Sequence, residues 1–109
     1  MGPYDVVASL SKRAGVSGVL VADQNGALLA EEDSENPEAL AATASFTLSC
    51  VTKLGDALAL GDPLYIIAAS SQRRLGFVQG VERLAALELS VLSTAAGACQ
   101  EAVALLHET

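Results

Sequence analysis

Apolar and polar positions recur along this chain with two different periods, and the changes of period divide it into eight elements. Val6, Val7, Leu10 and Ala14 fall at helical spacing between residues 4 and 14, with Lys12 and Arg13 in the last turn and Gly15 as a stop, which predicts a short amphipathic helix. Val16 to Ala30 reads as two strands joined at Asn25-Gly26, a pair suited to the two positive-φ positions of a type I′ turn, with the second strand over 27–31. Beyond an acidic break, Asn36 can cap a helix and Pro37 can take its first position, where a missing N–H is not needed. That helix runs to about Leu60. Leu40, Ala44, Thr47, Val51, Leu54 and Leu58, three and four residues apart, form its expected core stripe.

A second stripe on the same helix, Ala42, Phe46, Ser49, Cys50, Lys53 and Ala57, is mostly small with one aromatic. Small residues let another backbone approach closely, so this stripe is a candidate helix-to-helix dimer contact; the competing reading is an alanine-rich exposed surface. Gly61-Asp62-Pro63 breaks the helix, and the β-rich runs 64–69, 73–79 and 82–89 follow, separated by short turns at Ser70-Ser71-Gln72 and at Gly80. From Ser93 or Thr94 as a cap, Ala96, Cys99, Val103 and Leu106 repeat helically to the end. Leu64, Ile66 and Ala68 alternate with Tyr65, Ile67 and Ala69, so both faces of the sheet need cover. The expected architecture is α/β/α in three layers around a five-stranded antiparallel sheet, in the order α-β-β-α-β-β-β-α.

A length of 109 residues suits a single domain, 1–109. Charged residues make up only 17% of the chain against a usual share of about 25%, and 51% is apolar, so part of the apolar surface is expected to be an interface. The net charge of −7, with six Lys and Arg, repels phosphate backbones and anionic lipid, which argues against nucleic-acid and membrane-surface roles. No apolar run approaches a membrane span and the N-terminus lacks the regions of a signal peptide, giving a cytoplasmic expectation. Cys50 and Cys99 lie far apart inside helical patterns and read as buried free thiols.

No catalytic, cofactor or metal constellation stands out. His107 is the only histidine and reads as a cation or solvated cap near a helix end. Ala14-Gly-Val-Ser-Gly18 lacks the lysine and spacing of a phosphate loop, so the chain is not expected to bind nucleotide. The acidic stretch 31–38 reads as a solvated connection rather than a metal site. Arg73 and Arg74 open a strand at the surface, and one sharper role is open to them: an arginine supplied in trans can stabilise phosphoryl-transfer charge.

Taken in order, Gly18-Val-Leu-Val-Ala-Asp-Gln-Asn-Gly26, the helix from Pro37 to Leu60 ending in Gly61, the run Leu64 to Ala69, and Leu84-Ala-Ala-Leu87 before the last helix resemble the roadblock family, the dynein light-chain and GTPase-regulator domain, in its prokaryotic small-GTPase-regulator form. The resemblance covers about Tyr4 to Leu106. It implies a homodimer, or a heterodimer with a similar domain, in which the long helices pair antiparallel and the third strands join two sheets into one through Leu64, Ile66 and Ala68. It also implies a small Ras-like GTPase as partner and no enzymatic activity in the chain itself; Arg73 and Arg74 remain candidate GTPase contacts from their residue type alone, against the favoured reading of a solvated strand entry, since the resemblance implies regulators that reposition the GTPase's own residues. Two other classes compete: a ligand-sensing domain of similar layering, PAS-like or profilin-like, and a light-chain-type adaptor of a motor complex. A sensor needs a cavity lined by bulky and polar groups, whereas four aromatic residues and an Ala, Leu and Val core favour tight closure.

Overall fold

A computed structural model describes residues 2–90 and 94–107. The elements are α1 (Pro3–Ser11), β1 (Val16–Asp23), β2 (Leu28–Glu32), α2 (Pro37–Ala57), β3 (Tyr65–Ala69), β4 (Arg74–Gln79), β5 (Arg83–Leu89) and α3 (Ala95–His107). Their order is the one the hydrophobic pattern predicts. The five strands form one antiparallel sheet in the order β2-β1-β5-β4-β3, which puts the first and last strands of the chain side by side at its centre.

Period-two alternation sends successive side chains to opposite faces, and each face has its own helical cover. Leu20, Ala22, Phe77, Leu84 and Ala86 lie under α2, whose Leu40, Ala41, Ala44 and Leu48 are buried against them. On the other face Val19, Val21, Val78, Ala85 and Leu87 pack on Val6, Val7 and Leu10 of α1 and on Ala98, Cys99, Ala102 and Leu106 of α3. Tyr65 and Ile67 join this second cluster while Ile66 joins the first, so the alternation expected of β3 holds.

Several local expectations are corrected. Asn25 does not take positive φ; only Gly26 does, at +88°. The Gly26 N–H donates to the Asp23 carbonyl at 3.0 Å and the Asp23 N–H to the Ala27 carbonyl at 3.0 Å, so the hairpin closes with three loop residues and a left-handed glycine rather than a two-residue type I′ turn. Asp23 selects this form because its Oδ1 accepts the N–H groups of Asn25 and Ala27 at 2.9 and 3.0 Å. Asn36 does occupy the N-cap of α2, but in the left-handed region (φ 52°) and with no hydrogen bond from its side chain. The closing helix reads similarly but is anchored by Ala95 in place of the exposed Ala96, and Ser93, one of its two expected caps, lies outside the described residues.

The ends of helices move too. α1 stops at Ser11, so Lys12 and Arg13 fall beyond its last turn and Ala14 is exposed. α2 ends at Ala57, because the Ala59 N–H donates to the Asp56 carbonyl and the Leu60 N–H to the Gly55 carbonyl, a Schellman closure with Ala59 at φ 57°. Leu54 and Leu58, expected in the core, are 56% and 58% exposed. The core face of α2 runs instead through Leu40, Ala41, Ala44, Leu48 and Gly55; the apolar cluster beneath the helix ends at Leu48, and a Cβ on Gly55 would meet the Gly61 carbonyl of the loop before β3. Cys50, expected buried, is exposed; Cys99 is buried as expected.

Candidate functional site

Two unshielded features meet on the α2 side of the molecule. The first is the open edge of β3, which among the described residues pairs only with β4 and carries no charged residue between Leu64 and Ala69. The opposite edge, β2, bears Glu31 and Glu32, both exposed, and is guarded by charge against strand addition. β3 has no such protection.

The second is the outer face of α2. Ala42, Phe46, Ser49, Cys50, Lys53 and Ala57 are all turned away from the sheet, and Phe46 is 71% exposed. Ser45 and Ser49 point across a groove of about 780 Å³ toward the turns at one end of the sheet, with Gln24, Gln79, Gly80 and Val81 opposite. Leu54 and Leu58 lie nine residues on from these two serines, hence half a turn away in phase, on the other flank of the helix. An exposed aromatic and two exposed leucines on one helix exceed what scattered surface apolar residues require.

The groove is built by a small polar network. The Ser45 hydroxyl donates to the Gln24 carbonyl at 2.7 Å, seating α2 on the β1–β2 turn, and a Cβ on Gly26 would stand only 3.1 Å from Ala42 Cα. The Gln24 amide donates to the Gly80 carbonyl at 3.2 Å, and the Gln79 amide donates to Gln24 Oε1 at 2.7 Å. The two turns are thereby tied together. Sequence reading missed both glutamines, since a lone side-chain amide carries no periodic signal.

The two arginines do not act as a pair. Arg73 donates to Glu88 Oε1 at 2.8 Å on the α2 face, whereas Arg74 begins β4 with its side chain on the other face, in phase with Gly76 and Val78. Glu88 is also missing from the sequence-derived site, although a lone carboxylate in the apolar run 84–89 signals a required partner. Its Oε2 accepts the Glu35 N–H at 3.0 Å, and a Cβ on Gly18 would fall 2.5 Å from that oxygen. One carboxylate thus joins β5, the β3–β4 turn and the loop that leads into α2.

His107 sits at the last turn of α3, with Nδ1 2.7 Å from the Val103 carbonyl, the terminal role expected of it. The acidic stretch 31–38 is split between β2 and the loop before α2, and among the described residues no group of three or more His, Cys, Asp or Glu side chains could hold a metal. Among the same residues no helix is long and apolar enough to cross a membrane.

With the arrangement of sheet and helices in place, solved structures supply the comparison. MglB with a tetrameric arrangement superposes with a TM-score of 0.84 over 97% of this chain and 85% of its own, at 16% identity. The Roadblock/LC7 domain from Streptomyces avermitilis gives 0.80 over 94% of this chain and 92% of its own, at 14% identity. The chain has the roadblock fold. The gliding protein MglB from Thermus thermophilus matches equally, with a TM-score of 0.80 over 97% of this chain and 88% of its own, at 17% identity. No protein-family model and no curated protein sequence matches the chain. At identities of 14 to 17% the likeness establishes the fold and carries no site residue across to this chain.

Proposed function

We propose that residues 1–109 form one non-catalytic, dimeric interaction module that regulates or scaffolds a small Ras-like GTPase in cytoplasmic signalling. The observation that carries this reading is the likeness in fold to MglB over nearly the whole chain, joined to an unguarded β3 edge and an apolar outer face on α2. The roadblock resemblance of the sequence supplies the partner class. The dimer pairs α2 helices through Phe46, Cys50, Ala57 and the small residues between them, adds Leu54 and Leu58, and joins the sheets at β3. Burying these side chains at about 25 cal/mol per Å² of apolar surface favours association in the way an obligate interface does.

The GTPase docks away from the paired helices, on loops at the ends of the sheet or on the α1 and α3 side. Binding prefers one nucleotide state, because switch segments ordered by the γ-phosphate offer contacts that a partner can select. The chain has no GTP hydrolysis of its own. Affinity capture with the tagged chain, followed by mass spectrometry, should recover a Ras-like GTPase, and titration of that GTPase in its two nucleotide states should give different affinities. Equal affinities would remove the switch-reading role and leave a scaffold. If turnover changes, Arg73→Ala and Arg74→Ala separate the mechanisms: lost acceleration with retained binding supports an arginine finger, and unchanged acceleration supports repositioning of the GTPase's own residues.

A further inference from the structure

Asn36 gives α2 no side-chain cap, and the segment leading into the helix holds two residues, Asp33 and Asn36, at left-handed φ values of 56° and 52°. Such a conformation persists only where its surroundings over-determine it. Two carboxylates do so here. Glu31 Oε2 accepts the Ser34 N–H at 3.2 Å, and Glu88 Oε2, reaching over from β5, accepts the Glu35 N–H at 3.0 Å. Gly18, directly opposite Glu88 on β1, leaves room for this reach: a Cβ there would lie 2.5 Å from the same oxygen and 2.8 Å from the Asp33 carbonyl oxygen.

The same carboxylate also faces the β3–β4 turn. Its Oε1 accepts Arg73 Nη2 at 2.8 Å, with 13% of the Glu88 side chain exposed against 54% of the Arg73 side chain. The inner member of such a pair does not keep its charge away from water without the outer one. The loop is acidic as well, with Glu31, Glu32, Asp33, Glu35 and Glu38 on or beside it, and Arg73 is the cation that the described residues bring to Glu88.

We infer that Arg73, Glu88 and Glu35 form a latch by which the β3–β4 turn controls the start of α2. While Arg73 is in place, the carboxylate stays inside and holds the Glu35 N–H. When an acidic group of a partner draws the exposed guanidinium off, Glu88 is left as a half-desolvated charge beside an acidic loop. It turns to water, the Glu35 N–H is released, and the first turn of α2 frays from Pro37. An event at the β3–β4 turn is thus read at the helix whose outer face is proposed above as a contact surface. The latch lies within one chain and needs neither the dimer nor the GTPase.

Native-state hydrogen exchange followed by NMR reads the latch at two amides, Glu35, which donates to Glu88, and Leu40, which donates to the Asn36 carbonyl in the first turn of α2. Ala86, buried in β5, monitors global opening. Arg73→Ala should speed exchange at Glu35 and Leu40 about tenfold or more and leave Ala86 unchanged, although Arg73 touches neither amide. Arg73→Lys, which keeps the charge, should restore most of the protection. Glu88→Ala should expose the same two amides, and Arg73→Ala added to it should change them no further, since both act through one group. Should Glu88→Ala fail to fold, Arg73→Ala still decides, because its side chain lies at the surface. Unchanged exchange at Glu35 and Leu40 in Arg73→Ala overturns the latch. So does equal acceleration at Ala86, which marks a general loss of stability, or failure of Arg73→Lys to restore protection.

Discussion

A Cβ placed on Gly76 would stand 2.6 Å from the Sγ of Cys99, closer than real side chains approach, so the middle of β4 and the middle of α3 are fitted to each other at one point. Gly76→Ala should therefore destabilise the fold by about 1 to 3 kcal/mol, the usual range for overpacking a closed core. In a Cys99→Ala background the same substitution should cost far less, because the atom it strikes is gone. Denaturant midpoints of the four proteins in this cycle measure the coupling, and additive effects would show that the two sites do not touch.

The Cys99 thiol is held neutral by the same packing. Burial pushes it up from 9.0 to about 11. A raised value in the folded state means that its contribution to stability is complete below pH 9 and declines as the pH rises toward 11, where the unfolded chain ionises first. In Cys50→Ser protein, thiol reagents at about pH 8 should leave Cys99 unmodified until denaturant is added, and stability measured between pH 9 and 11 should fall. Ready labelling of the native protein would contradict the packing of α3 on the sheet.

Ala59 closes α2 from the left-handed region, at φ 57°, where a Cβ is strained and glycine is not. Ala59→Gly should raise stability by about 0.5 to 1 kcal/mol, the relief of strain exceeding the added freedom of the unfolded chain. Thermal melting resolves a change of that size.

Gly26 combines a φ of +88° with close approach to α2. Gly26→Val should cost at least about 1 to 2 kcal/mol through backbone strain, and loss of the helix seat at Ala42 and Ser45 adds to it. An unchanged melting curve would refute the turn.

Phe46→Glu and Leu54→Glu each place a charge where the outer face of α2 is proposed to be desolvated. Both should shift sedimentation toward monomer while circular dichroism stays that of the parent, since neither side chain is part of the folded core. Retention of the dimer by both variants would move the helix contact elsewhere on the surface.

Much of the architecture was legible in the linear pattern because burial on a sheet or helix repeats at a fixed period. Eight elements, their order, the opposite-facing alternation of β3 and the placing of α2 on one face follow from residues such as Leu20, Leu40, Ile66 and Ile67, whose neighbours in sequence already state which side is dry. Tertiary structure decided what periodicity cannot carry. Leu54 and Leu58 continue the helical stripe of Leu40 without a break, yet they are exposed, since the stripe reports only a helix face and not how far the apolar cluster beneath it extends. The type of the β1–β2 turn was settled by hydrogen bonds to Asp23, and the end of α2 by carbonyls at Gly55 and Asp56, each a matter of geometry across several residues rather than of composition. Arg73 and Arg74 are adjacent in sequence and lie on opposite faces, while Glu88, fifteen residues away, is the group that holds Arg73. Long-range pairing of this kind depends on strand order, which no local pattern encodes.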